Sequence, residues 1–325
     1  GTLELRGLVV DGAGAAPPVV IPGLRAKVAL TSLVWGGVHV EMLELDRPRI
    51  DVVRGEAGDD NVSSILDKLR ERRAGGAASG PGGLRVDLVR IHQGNLRLTD
   101  ETLGQAEVKA LDGDLRPDGP ATLHVRDARL EAFGARAAAD EATVDVTLAH
   151  GKPVGLPTID VKNGSLTPVR GLALTGIRAT VHPDADGERQ TIDVHGSYGG
   201  ASTELWNAVG WLSADRHEGK LTLRCDRFKL SQLDSVLRNK DGSPEILNAS
   251  KGEMDAHLDL GFRDDRLAFI GGAHLAGLTV AHPMLAAQPV PRLGFDARIK
   301  GVVDTKQRTL KLSEAAVDFR NLHAV

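Results

Sequence analysis

The stretch "LELDRPRIDVVRGEAGDDNVSSILDKL", from Leu43 to Leu69, changes its periodicity halfway along. Up to Arg54, apolar and polar residues alternate, as they do in a strand that buries one face. After an acidic, glycine-containing turn the apolar spacing becomes helical, with Asn61 as a candidate N-cap. The stretch therefore predicts a β-strand that is followed by one short helix ending near Arg73.

Alternation also dominates the rest of the chain. It recurs about every 10 to 15 residues, with Gly, Asp, Asn or Pro between the runs, and this spacing is typical of a β-meander. The clearest runs are Thr2–Val10, Leu84–His92, Asn95–Asp100, Ala142–Leu148, Leu221–Phe228, Met254–Phe262, Leu293–Val303 and Thr309–Phe319. We therefore expect a mainly β fold with an antiparallel sheet that carries one apolar face.

Three polar–glycine pairs separate alternating arms, at Gln93–Gly94, Asn163–Gly164 and Lys251–Gly252. Such pairs readily adopt the positive φ angles of tight hairpin turns. They predict three hairpins of similar construction.

A second helix is predicted over residues 231–238, where Ser231 and Asp234 fit a capping box. Both helices are too short to persist alone, so each must dock on the sheet. "RAGGAASGPGG" (Arg73–Gly83) has the composition of a flexible linker. The predicted organisation is an N-terminal β segment over residues 1–73, a flexible loop over 74–83 and a β-rich body over 84–325, which together form one elongated module.

Composition excludes several classes of partner. The 325 residues are 41% hydrophobic, enough for a folded core, and carry a net charge of −4 without a basic segment. Nucleic acid is therefore not expected as a partner. The one cysteine, Cys225, cannot form an intramolecular disulfide and is expected on a strand face.

Motifs that carry chemistry are absent from the sequence. It has no phosphate-binding loop, no dinucleotide-binding glycine pattern and no serine-nucleophile elbow. The 11 histidines are scattered without metal-ligand spacing, and adjacent carboxylates such as Asp59 and Asp60 fit solvated turns. The sequence therefore predicts no catalytic, cofactor-binding or metal-binding residues.

The opening stretch resembles the AsmA-like family of bacterial envelope proteins. In that family a P-x-ϕ-x-ϕ-x-R strand leads through a D-G-x-x-N turn into a short, leucine-rich helix. The matching residues are Pro48, Ile50, Val52 and Arg54 in the strand, Gly58 and Asn61 in the turn, and Ile65 and Leu66 in the helix. Asp59 follows the glycine instead of preceding it, and Val62 replaces the aromatic residue that often follows the asparagine.

Two further segments are similar to segments of the same family. "VRIHQGNLRLTDE" (Val89–Glu101) looks like the strand–turn–strand that follows the helix. "FKLSQLDSVL" (Phe228–Leu237), which contains Ser231 and Asp234, looks like an internal helix-bearing segment.

The resemblance implies an elongated, twisted β-sheet that forms a groove or taco-like half-barrel, with two short α-helices packed on it. It also implies a location in the periplasm of a Gram-negative cell envelope, where the parent chain is anchored in a membrane by segments outside this sequence. The expected function is a non-catalytic role in lipid binding or transfer, or as a scaffold in outer-membrane biogenesis. Phospholipid or another acyl-chain lipid, and envelope proteins, are the expected partners.

Two other functions stay open at the level of sequence. Similar regions precede peptidoglycan glycosyltransferase domains, so the chain could be an accessory region of a cell-wall synthesis enzyme. A closed β-sandwich that serves as a binding or adhesion module would show the same alternation.

Overall fold

The protein is described by a computed structural model. It describes residues 1–10, 18–30, 38–55, 60–61, 84–102, 104–132, 134–169, 172–198, 201, 203–213, 215–233, 247–248, 252–280 and 290–320. Strands account for most of these residues, which confirms the predicted mainly β class. The only helical element with assigned bounds in these ranges is a 3-10 turn at Leu230–Leu233.

Contacts divide the chain into two units, Gly1–Lys162 (unit 1) and Asn163–Val325 (unit 2). Unit 1 contains β1 (Thr2–Val10), β2 (Val19–Val28), β3 (Val38–Asp46), β4 (Arg49–Arg54), β5 (Leu84–Val86), β6 (Val89–Asp100), β7 (Gly104–Leu115), β8 (Gly119–Ala132) and β9 (Ala135–Ala149). The next strand, β10 (Lys152–Val169), crosses the boundary. Unit 2 contains β11 (Leu172–Pro183), β12 (Gln190–Tyr198), β13 (Trp206–Ser213), β14 (Glu218–Lys229), β15 (Leu247–Asn248), β16 (Glu253–Arg263), β17 (Arg266–Val280), β18 (Val290–Asp304) and β19 (Thr309–Arg320).

Unit 1 contains parallel strand pairs, so the expectation of a purely antiparallel sheet is wrong. β3 and β4 run parallel to β5 and β6, and the pairing keeps an offset of 46 residues from Val38 beside Leu84 to Arg54 beside Asp100. A tight turn cannot join parallel strands, because the chain must return to the level at which the first strand began. Residues 55–83 make that connection. The other unit 1 pairings with a described register are antiparallel.

Unit 2 follows the predicted meander. β11 to β14 pair with their sequence neighbours, β14 pairs with β16, and β16 to β19 continue in the same antiparallel way. The two-residue β15 pairs with the end of β17. Consecutive strands are thus neighbours in space, as short turn connections require.

Two of the predicted hairpin turns are wrong, because both polar–glycine pairs lie inside continuous strands. Gln93, with a φ of 50°, lies within β6, and Asn163, with a φ of 52°, lies within β10. A β-bulge uses the same positive φ angle as a tight turn, and the register of β6 with β7 shifts at Gly94. The third predicted hairpin includes Lys251, which is outside the described residues.

The two predicted α-helices are not found in the part of the chain that the structure describes. The first falls on residues 62–73, which lie outside it. The second begins where the 3-10 turn at Leu230–Leu233 stands, and residues 234–240 again lie outside. The predicted loop over residues 74–83 is also outside the described ranges.

A buried apolar cluster lies at one end of the unit 2 strands. Tyr198, Phe228, Leu230, Leu278 and Leu293 form it, and Leu278 is 1% exposed. The ring centroids of Tyr198 and Phe228 are 4.4 Å apart. Since these side chains come from the ends of β12, β14, β17 and β18, the cluster ties together strands that are far apart in sequence.

Candidate functional site

The strand register puts apolar side chains from eight strands of unit 2 on one face. Directly paired residues of neighbouring strands lie on the same side of a sheet. One such row crosses eight strands, from β11 to β19 without β15, and contains Val181, Ile192, Gly210, Leu221, Leu260, Phe269, Gly301 and Leu312. This row contains no polar side chain.

We use the name β14–β19 apolar face for the side-chain set on this side of the later strands. The set comprises Leu221, Leu223, Leu258, Leu260, Phe262, Leu267, Phe269, Ile299, Val303, Leu310, Leu312 and Val317. The members on β19 are the most exposed, with Leu310 at 58% and Leu312 at 51%. The β14–β19 apolar face is therefore only partly buried, and its side chains are most exposed on β19.

Aromatic rings on this side of unit 2 lie over glycines of the neighbouring strand. A Cβ atom built on Gly301 would come within 2.6 Å of Phe269 Cζ, and one built on Gly219 would overlap the ring of Phe262. Trp206 lies over Gly196 in the same way. Because a glycine has no side chain, each large ring can lie flat across the adjacent strand. The result is a flat apolar surface along these rings, and Phe262 and Phe269 are among the residues that line a cavity of about 420 Å³.

The opposite side of the same strands is polar. An adjacent row reads Arg178, His195, Asn207, Arg224, His257, Gly272, Arg298 and Ala316 from β11 to β19. Side-chain hydrogen bonds between neighbouring strands stabilise this polar side. Examples are Arg298 Nη2 to Asp318 Oδ2 at 2.7 Å and His274 Nδ1 to Asp296 Oδ1 at 2.8 Å. The sheet of unit 2 thus separates apolar from charged side chains.

A cavity of about 510 Å³ opens on this charged side. Its walls include Arg224, Asp255, His257, Asp296 and Arg298. Two of the carboxylates already have partners, since Asp255 Oδ1 accepts the Arg227 amide at 2.7 Å and Asp296 pairs with His274. Asp255 and Asp296 are therefore already engaged in interactions within the protein.

Unit 1 has an apolar face of its own, built from aliphatic side chains. One row runs through Leu3, Ala26, Leu43, Val89, Leu115, Ala121 and Val146. Ala121 in this row is 1% exposed, whereas Leu3 on β1 is 52% exposed. On the other side, Arg90 donates to both oxygens of Asp114, at 2.8 and 3.1 Å. Unit 1 therefore shows the same division into an apolar and a charged face.

Cys225 lies on the apolar side of β14 and packs against the buried cluster. Burial raises the pKa of its thiol to about 11, so the thiol is protonated at neutral pH. A protonated thiol is a weak nucleophile and a poor metal ligand. Burial also raises the pKa of Tyr198, to about 12, and its hydroxyl donates to the Asp226 carbonyl at 3.2 Å.

The predicted strand motif lies at the kink between β3 and β4 and along β4. Pro48 is buried, and its carbonyl accepts the Asn95 amide at 2.7 Å. Arg54 lies at the end of β4, where its Nη1 is 3.9 Å from Asp100 Oδ2. Both residues thus contact β6, and their described contacts support the parallel strand pair.

Asn61 binds the edge of β4, where Asp60 also forms an antiparallel bridge with Arg54. Its Oδ1 accepts the Val53 amide at 2.9 Å, and its Nδ2 donates to the Asp51 carbonyl at 2.9 Å. β2 pairs with β4 only at Arg49 and Ile50, so this edge has no β2 partner beyond that point. The amide side chain thus replaces a short piece of neighbouring strand, since it offers one donor and one acceptor as a peptide group does.

Of the remaining motif residues, only Ser231 is among those that the structure describes. Ser231 is exposed in the 3-10 turn of unit 2. Gly58, Ile65, Leu66 and Asp234 lie outside the described residues. Of the named motif residues, the structure thus describes Pro48, Arg54 and Asn61 in unit 1 and Ser231 in unit 2.

Sequence inspection missed the pairing of aromatic residues with glycines. The signal was present, because Gly219 and Gly301 stand at positions in β14 and β18 where alternation would place an apolar side chain. A glycine at such a position indicates that a neighbour covers it, although the strand order is needed to identify that neighbour.

Within the described ranges, no three His, Cys, Asp or Glu residues are close enough to hold a metal ion together. The search of the same residues for a helix of membrane-spanning length and hydropathy also found none. No protein-family model, curated protein or solved structure matches the chain in the comparisons made.

Proposed function

We propose that this chain is a non-catalytic, AsmA-like ectodomain that binds acyl-chain lipid on its apolar sheet faces. The observation that carries the proposal is the unbroken apolar row of unit 2, which is partly exposed and faces away from the charged side. Large exposed apolar surfaces mark sites of interaction with a partner, a ligand or a membrane. A hydrocarbon chain suits this face because it makes no hydrogen bonds.

The energetics support a lipid ligand. Burying one methylene contributes about 0.8 kcal/mol, so half-burial of about ten methylenes contributes roughly 4 kcal/mol before the cost of ordering the chain. Phe262 and Phe269 lie flat over their neighbouring glycines, and the surface they form allows an extended acyl chain to lie across several strands. Specific polar contacts would not be needed for such binding.

The described apolar face offers no group suited to catalysis. Its side chains are hydrocarbon apart from the protonated thiol of Cys225 at its margin. A general acid or base must lie within hydrogen-bonding reach of the reacting atom, and the titratable groups described on these strands lie on the opposite side. We therefore propose binding or transfer as the activity of this chain.

Four further features of the proposed function are taken from the resemblance to AsmA-like proteins. They are a groove formed by an elongated sheet, a periplasmic location, an anchor in the parent chain and a role in lipid transport or envelope biogenesis. Envelope proteins would be the partners that deliver or accept the lipid.

A matched pair of substitutions tests the proposal. Ile299 lies on the β14–β19 apolar face and is 42% exposed, whereas Ile270 lies on the charged side of the next strand and is 49% exposed. Ile299→Lys should reduce the binding of a radiolabelled phospholipid to the purified protein. It should also reduce the amount of bound lipid that native mass spectrometry detects. Ile270→Lys should leave binding unchanged, although it introduces the same charge at similar exposure.

Two results would contradict the proposal. One is wild-type protein that neither co-purifies with lipid nor takes up the labelled phospholipid. The other is an equal loss of binding in Ile299→Lys and Ile270→Lys, because that would separate lipid binding from the apolar face.

A further inference from the structure

A cavity of about 420 Å³ lies over β13, β14, β16 and β17 of unit 2. Its volume falls within the range of about 300–1,000 Å³ that is usual for small-molecule sites. Phe262 and Phe269 touch it, but they alternate along their strands with residues of the charged side, so their rings lie on the opposite side of the sheet. Most of the lining residues form three neighbouring rows on the charged side, namely Trp211, Lys220, Gly261 and Ala268; Asp259 and Ile270; and Glu218 and Arg263.

Two small residues form the floor of this cavity. Gly261 and Ala268 are directly paired, and a Cβ atom built on Gly261 would meet no atom within 4 Å. Gly301, by contrast, is covered by the ring of Phe269. A glycine inside a strand often marks a place where a ligand approaches the backbone closely. The open floor at Gly261 therefore leaves room for a ligand on the charged side.

Trp211 forms one wall of the cavity, and charged neighbours fix its ring. The Arg189 guanidinium lies 4.1 Å from the ring centroid. Arg189 Nη2 is 4.0 Å from Glu218 Oε1, and Arg263 Nη2 donates to Glu218 Oε2 at 2.9 Å. The Glu218 side chain is 14% exposed and links the two arginines. Because the indole is held in place before a ligand arrives, binding costs less conformational entropy.

Two polar side chains beside the floor have bonding capacity to spare. Lys220 Nζ makes no ion pair or hydrogen bond with the described part of the chain. Asp259 Oδ1 accepts Thr222 Oγ1 at 2.6 Å, whereas Asp259 Oδ2 has no donor among the described residues. A hydroxyl group can donate to a carboxylate and accept from an ammonium group. Ile270, which is 49% exposed and paired with Asp259, adds apolar surface.

We infer that this cavity binds a pyranose ring of a neutral carbohydrate, stacked on Trp211 above Gly261. A pyranose carries a face of C–H groups, which packs on an aromatic ring, and a rim of hydroxyl groups, which bind charged side chains. The charged side chains of the lining are two cations and two anions, so they cancel and give no surplus charge to attract an anion. The inference does not depend on the proposed lipid binding, because the two sites lie on opposite sides of the sheet.

Carbohydrate binding by the whole chain tests the inference. The probes are neutral tetrasaccharides of glucose, mannose, galactose and N-acetylglucosamine, and inorganic phosphate is the anionic control. At least one sugar should bind with a Kd of about 1 mM or lower in calorimetry, and saturation-transfer NMR should show its ring C–H protons in contact with the protein. Binding of none of the four sugars, or of phosphate instead, would overturn the inference.

Matched substitutions locate the bound sugar. Gly261→Leu fills the open floor and should weaken binding at least about tenfold. Lys220→Met removes a donor and should also weaken binding, whereas Lys229→Met, at an exposed lysine at the other end of β14, should not. Trp211→Phe keeps a ring and should retain more binding than Trp211→Ala. Equal effects of Lys220→Met and Lys229→Met would contradict the site, even if Gly261→Leu failed to fold.

The two isoleucine variants of the lipid test separate this site from the apolar face. Ile270→Lys places an ammonium group beside Asp259 and should abolish carbohydrate binding, while lipid binding stays unchanged. Ile299→Lys should leave carbohydrate binding unchanged. Loss of carbohydrate binding in Ile299→Lys, or its retention in Ile270→Lys, would refute the inference without bearing on the lipid proposal.

Discussion

Units 1 and 2 form an apolar face in different ways. Unit 1 uses aliphatic rows such as Leu43, Val89 and Leu115 and includes parallel strand pairs. Unit 2 is an antiparallel meander, and it contains five of the six phenylalanines and the one tyrosine of the chain. In unit 2 the large rings lie over glycines, and a buried cluster fixes one end.

The difference shows how a single sheet can keep an apolar face ordered. Small aliphatic residues in unit 1 need close cross-strand packing and a fixed register, which the parallel pair and its edge contacts supply. Rings in unit 2 gain contact area by lying flat, and therefore they depend on the glycines beneath them. Substitutions at each feature should affect the unit that depends on it.

The largest effect is expected in the buried cluster of unit 2. Leu278→Ala removes a side chain that is 1% exposed and should lower the free energy of unfolding by about 2–5 kcal/mol. Leu310→Ala, at 58% exposure, should change it by less than about 0.5 kcal/mol. Guanidinium unfolding monitored by tryptophan fluorescence measures both. Similar losses would show that the cluster does not hold unit 2 together.

A smaller effect is expected beneath an aromatic ring. Gly301→Ala places a methyl group 2.6 Å from Phe269 Cζ and 2.8 Å from the Lys311 carbonyl oxygen, so the ring and the neighbouring strand must shift, at a cost of about 1–3 kcal/mol. Gly261→Ala is the control, because a Cβ atom there meets no atom within 4 Å. Thermal unfolding should separate the two variants. Equal melting temperatures would mean that the rings do not need the glycines.

The edge contact of Asn61 offers a test in unit 1. Asn61→Ala leaves the Val53 amide and the Asp51 carbonyl without their partner and should cost about 1–2 kcal/mol. Amide hydrogen exchange at Val53 should accelerate. Asn207→Ala, on the charged side of unit 2, should leave stability nearly unchanged, since no side-chain hydrogen bond of Asn207 occurs among the described residues. An unchanged hydrogen-exchange rate at the Val53 amide would contradict the proposed role of Asn61 in stabilising the edge of β4.

The smallest effect concerns acid stability at the β6 bulge. The Gln93 amide, and then the Arg126 guanidinium, hold the pKa of Asp112 below its usual 3.8. A lowered folded-state pKa stabilises the fold above the unfolded-state pKa, and this contribution is lost as the pH falls through the folded-state pKa. Asp112→Asn should therefore reduce stability at pH 7 by less than about 1 kcal/mol.

At about pH 2 the difference between Asp112→Asn and wild type should be smaller than at pH 7, because the wild-type carboxyl becomes protonated as the pH falls. Urea unfolding at both pH values makes the comparison. A constant difference would exclude ionisation of Asp112 as the cause.

Alternation predicted most strands well because it is a local property. The run Thr2–Val10 coincides with β1, and Thr309–Phe319 covers all but the last residue of β19. The parallel pairs could not be predicted in this way, because their partners are 46 residues apart and nothing local marks the pairing. The bulge at Gln93 was taken for a turn because a positive φ angle serves both structures.

The candidate site was predictable only in outline. The sequence indicated one apolar side for each strand, but the strand order was needed to align Leu221, Leu260 and Phe269 in one row. Asn61 was predicted to cap a helix that falls on residues outside the described ranges, and its described side-chain bonds reach β4. An amide side chain suits either role, so the residue type alone could not decide between them.

The kink at Arg47–Pro48 and the bulge at Gln93–Gly94 stand side by side in neighbouring strands, because Asp46 pairs with His92 and Arg49 pairs with Asn95. Bulges increase local twist and bend a strand. From two irregularities at one level we expect a local bend in the sheet of unit 1. Sheet curvature at this point would then follow from backbone geometry, independently of what rests on the apolar side.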